Sequence, residues 1–166
     1  MFIRKANVSD VERINEIYNQ AVLNTIASLD IQPRSLKYQL DWFKSHNDRF
    51  AVFVACKNGI ITGWASLSLW SDKSGYKDVA EDSIYIDEKY RGNGIGKQLL
   101  KTIMDHAKAN GFHTIIARIS DGNDISVHMH QEYGFKMVGT LKDIGYKFGR
   151  YINIHIMQLH LQLGDS

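Results

Sequence analysis

The sequence predicts a mixed α/β fold. Segments with apolar residues at helical spacing alternate with short β-rich runs, and strong turn signals separate them. At 166 residues the chain has the length of one domain with a core of its own. Hydrophobic residues at 44% and charged residues at 23% are globular proportions, which exclude a disordered chain.

"FIRK" reads as a first strand. Ser9 and Glu12 in "SDVE" form a Ser-x-x-Glu capping box that opens a helix. Val11, Ile14, Ile17 and Val22 give that helix an apolar side through about Thr25. A second helix is predicted from Leu36 to about Ser45, with Leu36, Leu40 and Phe43 at helical spacing. "RFAVFVACK" and "IITGWASLSLW" flank Asn58-Gly59, a strong hairpin signal. "AEDSIYID", residues 80–87, reads as a strand that enters a glycine-rich turn. The next helix runs from about Ile95 to Asn110, with Leu99, Leu100, Ile103, Met104 and Ala107 on its apolar side and Gly111 as its stop. "HTIIARIS" is a strand and "DISVHMHQEYG" a short helix. A short strand beginning at Phe135 and the long strand "YINIHIMQLHL" complete the order β-α-α-β-β-β-α-β-α-β-β. With no repeat or linker, residues 1–166 are expected to form one domain.

Twenty basic against eighteen acidic side chains leave a net charge of +2, too weak a field to argue for a nucleic-acid partner. No apolar run approaches the roughly 18 residues of a membrane span, and "MFIRKANVSD" lacks a signal peptide's apolar centre. A cytoplasmic location away from membranes is expected. The single cysteine excludes an internal disulfide; Cys56, in "FAVFVACK", reads as a buried, inert strand residue.

The chemistry concentrates in "IDEKYRGNGIGKQLL", residues 86–100, where three glycines alternate with other residues between Arg91 and Lys97. A helix start offers unpaired N–H groups and partial positive charge, a natural seat for phosphate, and glycines let the main chain approach it. A Walker loop fails because only three residues separate Gly92 from Gly96 and Gln98 follows Lys97. A dinucleotide fingerprint fails because Lys97 stands where its last glycine should be. A glycine turn without a ligand is the bland alternative. Further on, Asn123, Ser126, His130 and Tyr133 are spaced so that a helix brings them near one face, either solvated or lining a cleft.

Arg91, Gly94 and Gly96 form Arg-x-x-Gly-x-Gly, which resembles the acetyl-CoA loop of the GNAT N-acetyltransferase superfamily. Together with "EDSIYID", "YNQAVLNT", "SLKYQLDWF", the segment ending in Gly134-Phe135, and "GYKFGRY", the chain from Ile3 to Leu161 resembles the phosphinothricin and methionine-sulfoximine N-acetyltransferase subfamily. That resemblance implies an α+β type of α/β fold, with a central mixed, largely antiparallel sheet flanked by helices. It also implies that acetyl-CoA is the cosubstrate. Its pyrophosphate would meet the backbone of Gly92, Asn93, Gly94, Ile95, Gly96 and Lys97 beside Arg91, and its pantetheine arm would lie along Ile84, Tyr85 and Ile86. Asn123, with Ser126, would bind the same arm.

By the same resemblance Glu81 is the general base, directly or through a water. His130, four residues before Gly134-Phe135, stands where the superfamily commonly has a proton-donating Tyr; it either protonates the CoA sulfur or orients substrate. The strand residues Glu81, Asp82 and Ser83 would face the amine. Close members carry an Arg after the Trp of "SLSLW" to hold an amino acid's carboxylate, whereas this chain has Ser71. Lys73 or Lys77 would then supply the charge, with Tyr76 walling the pocket. Tyr151 replaces the usual Trp after "KFGR", and the C-terminal strands are expected to contribute to a homodimer. The expected activity is acetylation of a small α-amino acid or analogue. Other amines, or a non-catalytic CoA sensor, are the rival readings. His128 and His130 lack a matching third ligand at local spacing, so no metal site is predicted.

Overall fold

The computed structural model of the protein describes residues 1–161. The elements are β1 (Phe2–Lys5), α1 (Val11–Asn24), α2 (Leu36–Lys44), β2 (Val52–Lys57), β3 (Ile60–Leu69), β4 (Val79–Ile86), α3 (Ile95–Ala109), β5 (Thr114–Ser120), α4 (Asp124–Glu132), β6 (Lys136–Lys147) and β7 (Arg150–His160). The strands form one seven-stranded sheet in the order β1-β2-β3-β4-β5-β7-β6. Every neighbouring pair is antiparallel except β4 and β5, so the sheet is mixed.

Helices cover both faces. Ala65 and Leu67 of β3, Ala80 of β4 and Ile115 and Ala117 of β5 pack with Leu99, Leu100 and Ile103 of α3 in one cluster. On the other face Val52, Val54 and Trp64 meet Ile14, Ile17, Tyr18 and Val22 of α1. Burial on both faces explains why "VFVAC" is apolar without alternation. Its Cys56 is buried and unpaired by disulfide.

Three local expectations need correction. The capping box at the first helix belongs to Asn7 and Asp10, not Ser9 and Glu12. The Asn7 side chain accepts from Ser9 N–H at 2.9 Å and Asp10 accepts from Asn7 N–H at 2.8 Å, opening a 3-10 turn before α1. In α2 the inward residue is Gln39 at 0% exposure, while Leu36 lies open at 43%. The helix makes its apolar contact further along, through Trp42, 5.3 Å from Trp64. The strand before the last is long. β6 spans 12 residues and forms a hairpin with β7 through Phe148 and Gly149, both at positive φ, and its register shifts at two bulges.

Candidate active site

The sheet opens at its one parallel junction. β4 pairs with β5 only over Val79–Glu81 against Thr114–Ile116, yet β4 stays paired with β3 as far as Ile86. Beyond Glu81 the β5-facing edge of β4 therefore carries backbone groups without a sheet partner, and an added strand could satisfy them. β5 meanwhile runs on to Ser120 beside β7. The cleft between them encloses a cavity of about 110 Å³ lined by residues of β4, β5 and α4 together with Ala27.

Strand alternation sorts the cleft residues onto two walls. Glu81, Ser83 and Tyr85 lie opposite Ser68, Ser66 and Trp64 of β3, on the α1 side of the sheet. Asp82 and Ile84 face the α3 and α4 side. Glu81 is held by Arg118 of β5 through two contacts, Nε to Oε1 at 2.6 Å and Nη2 to Oε2 at 2.8 Å. Trp70 lies below the guanidinium, 5.9 Å from its carbon to the ring centre.

On the other wall Asp82 and His130 are both buried and bonded at 2.9 Å through Nε2. His130 Nδ1 lies 2.7 Å from the Ser126 carbonyl, which can only accept, so that nitrogen carries a proton. Burial pushes the His130 imidazole down, but the Asp82 carboxylate and the carbonyl outweigh it and the net shift is upward. Both ring nitrogens are thus committed to the protein. Asn123 caps α4, its side chain accepting from Ser126 N–H, and both residues line the cleft. Tyr133 ends the same helix and packs against the core instead.

The glycine turn leads directly into α3. Gly92 and Gly94 have φ of 77° and 73°, the left-handed region, and a Cβ on either would meet no atom within 4 Å. Gly96 serves a different purpose: its Cβ would lie 3.1 Å from the Met129 sulfur, so it lets α3 approach α4. The first backbone bond into the helix runs from Gln98 N–H to the Gly94 carbonyl. The N–H groups of Ile95, Gly96 and Lys97 are the orphan donors of a helix start. The loop is held open by Asn93, which donates to the carbonyls of Tyr90 and Arg91, and by Arg91 Nε on the Ile86 carbonyl. Asp87 anchors its entry by accepting from Arg13 and Gln20 of α1. Lys97 pairs with Glu132 at 2.6 Å.

The cleft gathers Glu81, Asp82, Ser83, Ile84 and Tyr85 from β4 with Asn123, Ser126 and His130 from α4 and its N-cap. Ile86 faces the core beside α3. Ser71, Lys73, Tyr76 and Lys77 do not line it; Lys73, Tyr76 and Lys77 sit exposed around the 3-10 turn Ser74–Tyr76. The residue that sequence reasoning missed is Arg118. A lone charge inside the apolar run "TIIARIS" was the available signal. Among the described residues no three metal-ligating side chains cluster, and no helix is long and apolar enough to cross a membrane.

Known proteins resemble the chain along nearly its whole length. The chain is 36% identical to the L-amino acid N-acyltransferase MnaT of Escherichia coli (strain K12), over 97% of the chain and 94% of that protein. It is 36% identical to an L-methionine sulfoximine/L-methionine sulfone acetyltransferase of Pseudomonas aeruginosa, over 96% of the chain and 94% of the relative. The crystal structure of a GNAT superfamily phosphinothricin acetyltransferase from Sinorhizobium meliloti in complex with AcCoA superposes with a TM-score of 0.94 at 33% identity, covering 96% of this chain and 88% of that one. The model of the acetyltransferase (GNAT) family matches residues 12–135. On the strength of that match and of relatives that align along nearly its whole length, the chain belongs to the acetyltransferase (GNAT) family and is an acetyl-CoA-dependent enzyme.

Proposed function

We propose that the protein, acting as one catalytic unit over its whole length, moves the acetyl group of acetyl-CoA to the amine of a small α-amino acid or analogue of the methionine sulfone, methionine sulfoximine or phosphinothricin type. The observation that carries this reading is a carboxylate, Glu81, at the point where β4 and β5 part and the β4 edge becomes free. The pantetheine arm adds to that edge along Ile84–Ile86, with Asn123 and Ser126 on the opposite wall. The diphosphate takes the orphan N–H groups of the α3 start, where each bond to a charged oxygen is worth about 1.5–3 kcal/mol.

Glu81 accepts a proton from the acceptor's ammonium. The free amine attacks the thioester carbonyl, a C–N bond forms, the C–S bond breaks, and the sulfur leaves as thiolate and takes up the further proton that the attacking nitrogen sheds as it becomes an amide. One β4 N–H polarises the carbonyl oxygen as charge builds on it. His130 suits an orienting role better than direct proton donation, because Asp82 and the Ser126 carbonyl already occupy its two nitrogens. The same reading takes the protein as a cytoplasmic homodimer joined through the β6–β7 hairpin.

Thiol release from acetyl-CoA, followed across a panel of amines, tests this. Methionine sulfone, methionine sulfoximine or phosphinothricin should be acetylated, and Glu81→Gln should slow turnover by about 10²–10⁴. Acetylation confined to polyamines or protein N-termini overturns the reading of the acceptor.

A further inference from the structure

Two carboxylates, a guanidinium and an imidazole line the cleft, and they are already paired: Asp82 with His130 on one wall, Glu81 with Arg118 on the other. The second pair poses a chemical difficulty. Both oxygens of the carboxylate that must meet the acceptor's ammonium are occupied by a guanidinium fork. A plain amine brings only positive charge to that spot and must displace Arg118 against its own repulsion. A zwitterion brings both signs. Its ammonium can take the Glu81 oxygens while its carboxylate takes the guanidinium, replacing one internal ion pair by two and leaving the net charge of the cleft unchanged.

We propose that Arg118 is the specificity-determining residue for the acceptor, gripping the carboxylate of an α-amino acid and, by doing so, releasing Glu81 to act as base. The inference rests on the reading that α-amino acids are the acceptors. Its support is local. Among the described residues Arg118 Nη1 has no hydrogen-bond partner, and the side chain is 55% exposed, so the fork can turn towards a ligand. Trp70 backs the guanidinium independently of Glu81. The competing cations are elsewhere: Lys73 and Lys77 stand on the exposed turn, and Lys147 is buried with its ammonium on the Ser28 carbonyl at 2.7 Å. Among the described residues Arg118 is the one lysine or arginine that lines the cleft.

The test compares methionine sulfone with the primary amine that remains when its carboxylate is removed. Binding of each is titrated calorimetrically in the presence of CoA, for the wild type, Arg118→Gln and Arg118→Lys. Loss of a fork to a charged group should weaken methionine sulfone about tenfold or more. The preference for amino acid over amine should collapse in Arg118→Gln and be restored only in part by Arg118→Lys, whose point charge lacks the fork. Parallel weakening of both ligands, an unchanged preference, or no binding of methionine sulfone by the wild type overturns the proposal. Turnover separates it from the reading beneath it. Arg118-dependent binding without thiol release would leave the anchor standing and remove acetyl transfer to this acceptor. Equal KM for methionine sulfone in wild type and Arg118→Gln would remove the anchor and leave the chemistry.

Discussion

His130 illustrates how far a residue's neighbours determine its use. Its nitrogens are bound to Asp82 and to the Ser126 carbonyl, and its pKa is raised on balance. An imidazole whose folded value is raised stabilises the fold fully below the unfolded value of about 6.5, and that contribution is lost as pH rises through the folded value. Wild-type stability, read from urea midpoints between about pH 6 and about pH 9, should therefore contain a decline that Asp82→Asn flattens. Parallel curves for the two proteins would sink this account. Glu81 and His130 were legible as candidates from "EDSIYID" and from the spacing to Gly134-Phe135. Their pairings were not, because Arg118 lies 37 residues from Glu81 and Asp82 lies 48 residues from His130 in the chain. Such pairings depend on which strands become neighbours.

At the scale of elements, the glycine turn separates two functions that look alike in sequence. Gly94 needs positive φ at the α3 start, while Gly96 needs room beside Met129. With open space around it, Gly94→Ala pays only the left-handed backbone cost, about 1–2 kcal/mol. Gly96→Ala meets a flexible thioether and gains helix propensity, so it should stay within about 0.5 kcal/mol of wild type. Denaturant titration of both variants without CoA checks this; equal destabilisation would contradict it. The element order and most boundaries could be read from periodicity, Asn58-Gly59 and Gly111, since these signals act within a few residues. The length of β6 could not, because its ladder depends on β7 and its exposed residues lack a clean alternation.

For the whole molecule, the β6–β7 hairpin leaves Val138, Ile144, Tyr146, Phe148 and Tyr151 exposed at the sheet's far edge. Two bulges interrupt β6, which disfavours extension of the sheet by a second edge and favours packing of side chains. Our proposed homodimer buries this surface. Light scattering should give twice the chain's mass at working concentration, and Tyr146→Glu with Phe148→Glu should return it to a monomer; a monomeric wild type would contradict the dimer. The same hairpin also supports the cleft from a distance, with Gly145 against Leu29 and Lys147 on Ser28, next to cleft-lining Ala27. By itself the sequence determined the succession of helices and strands, the glycine turn and the family resemblance, because each resides in short-range spacing and local backbone preference. Only the tertiary structure decided that β4 and β5 part after Glu81, that Asp82 belongs to His130, and that Arg118 rather than a loop lysine reaches the cleft. Those facts follow from sheet order and strand splay, and a strand's partner is chosen by the packing of the entire chain.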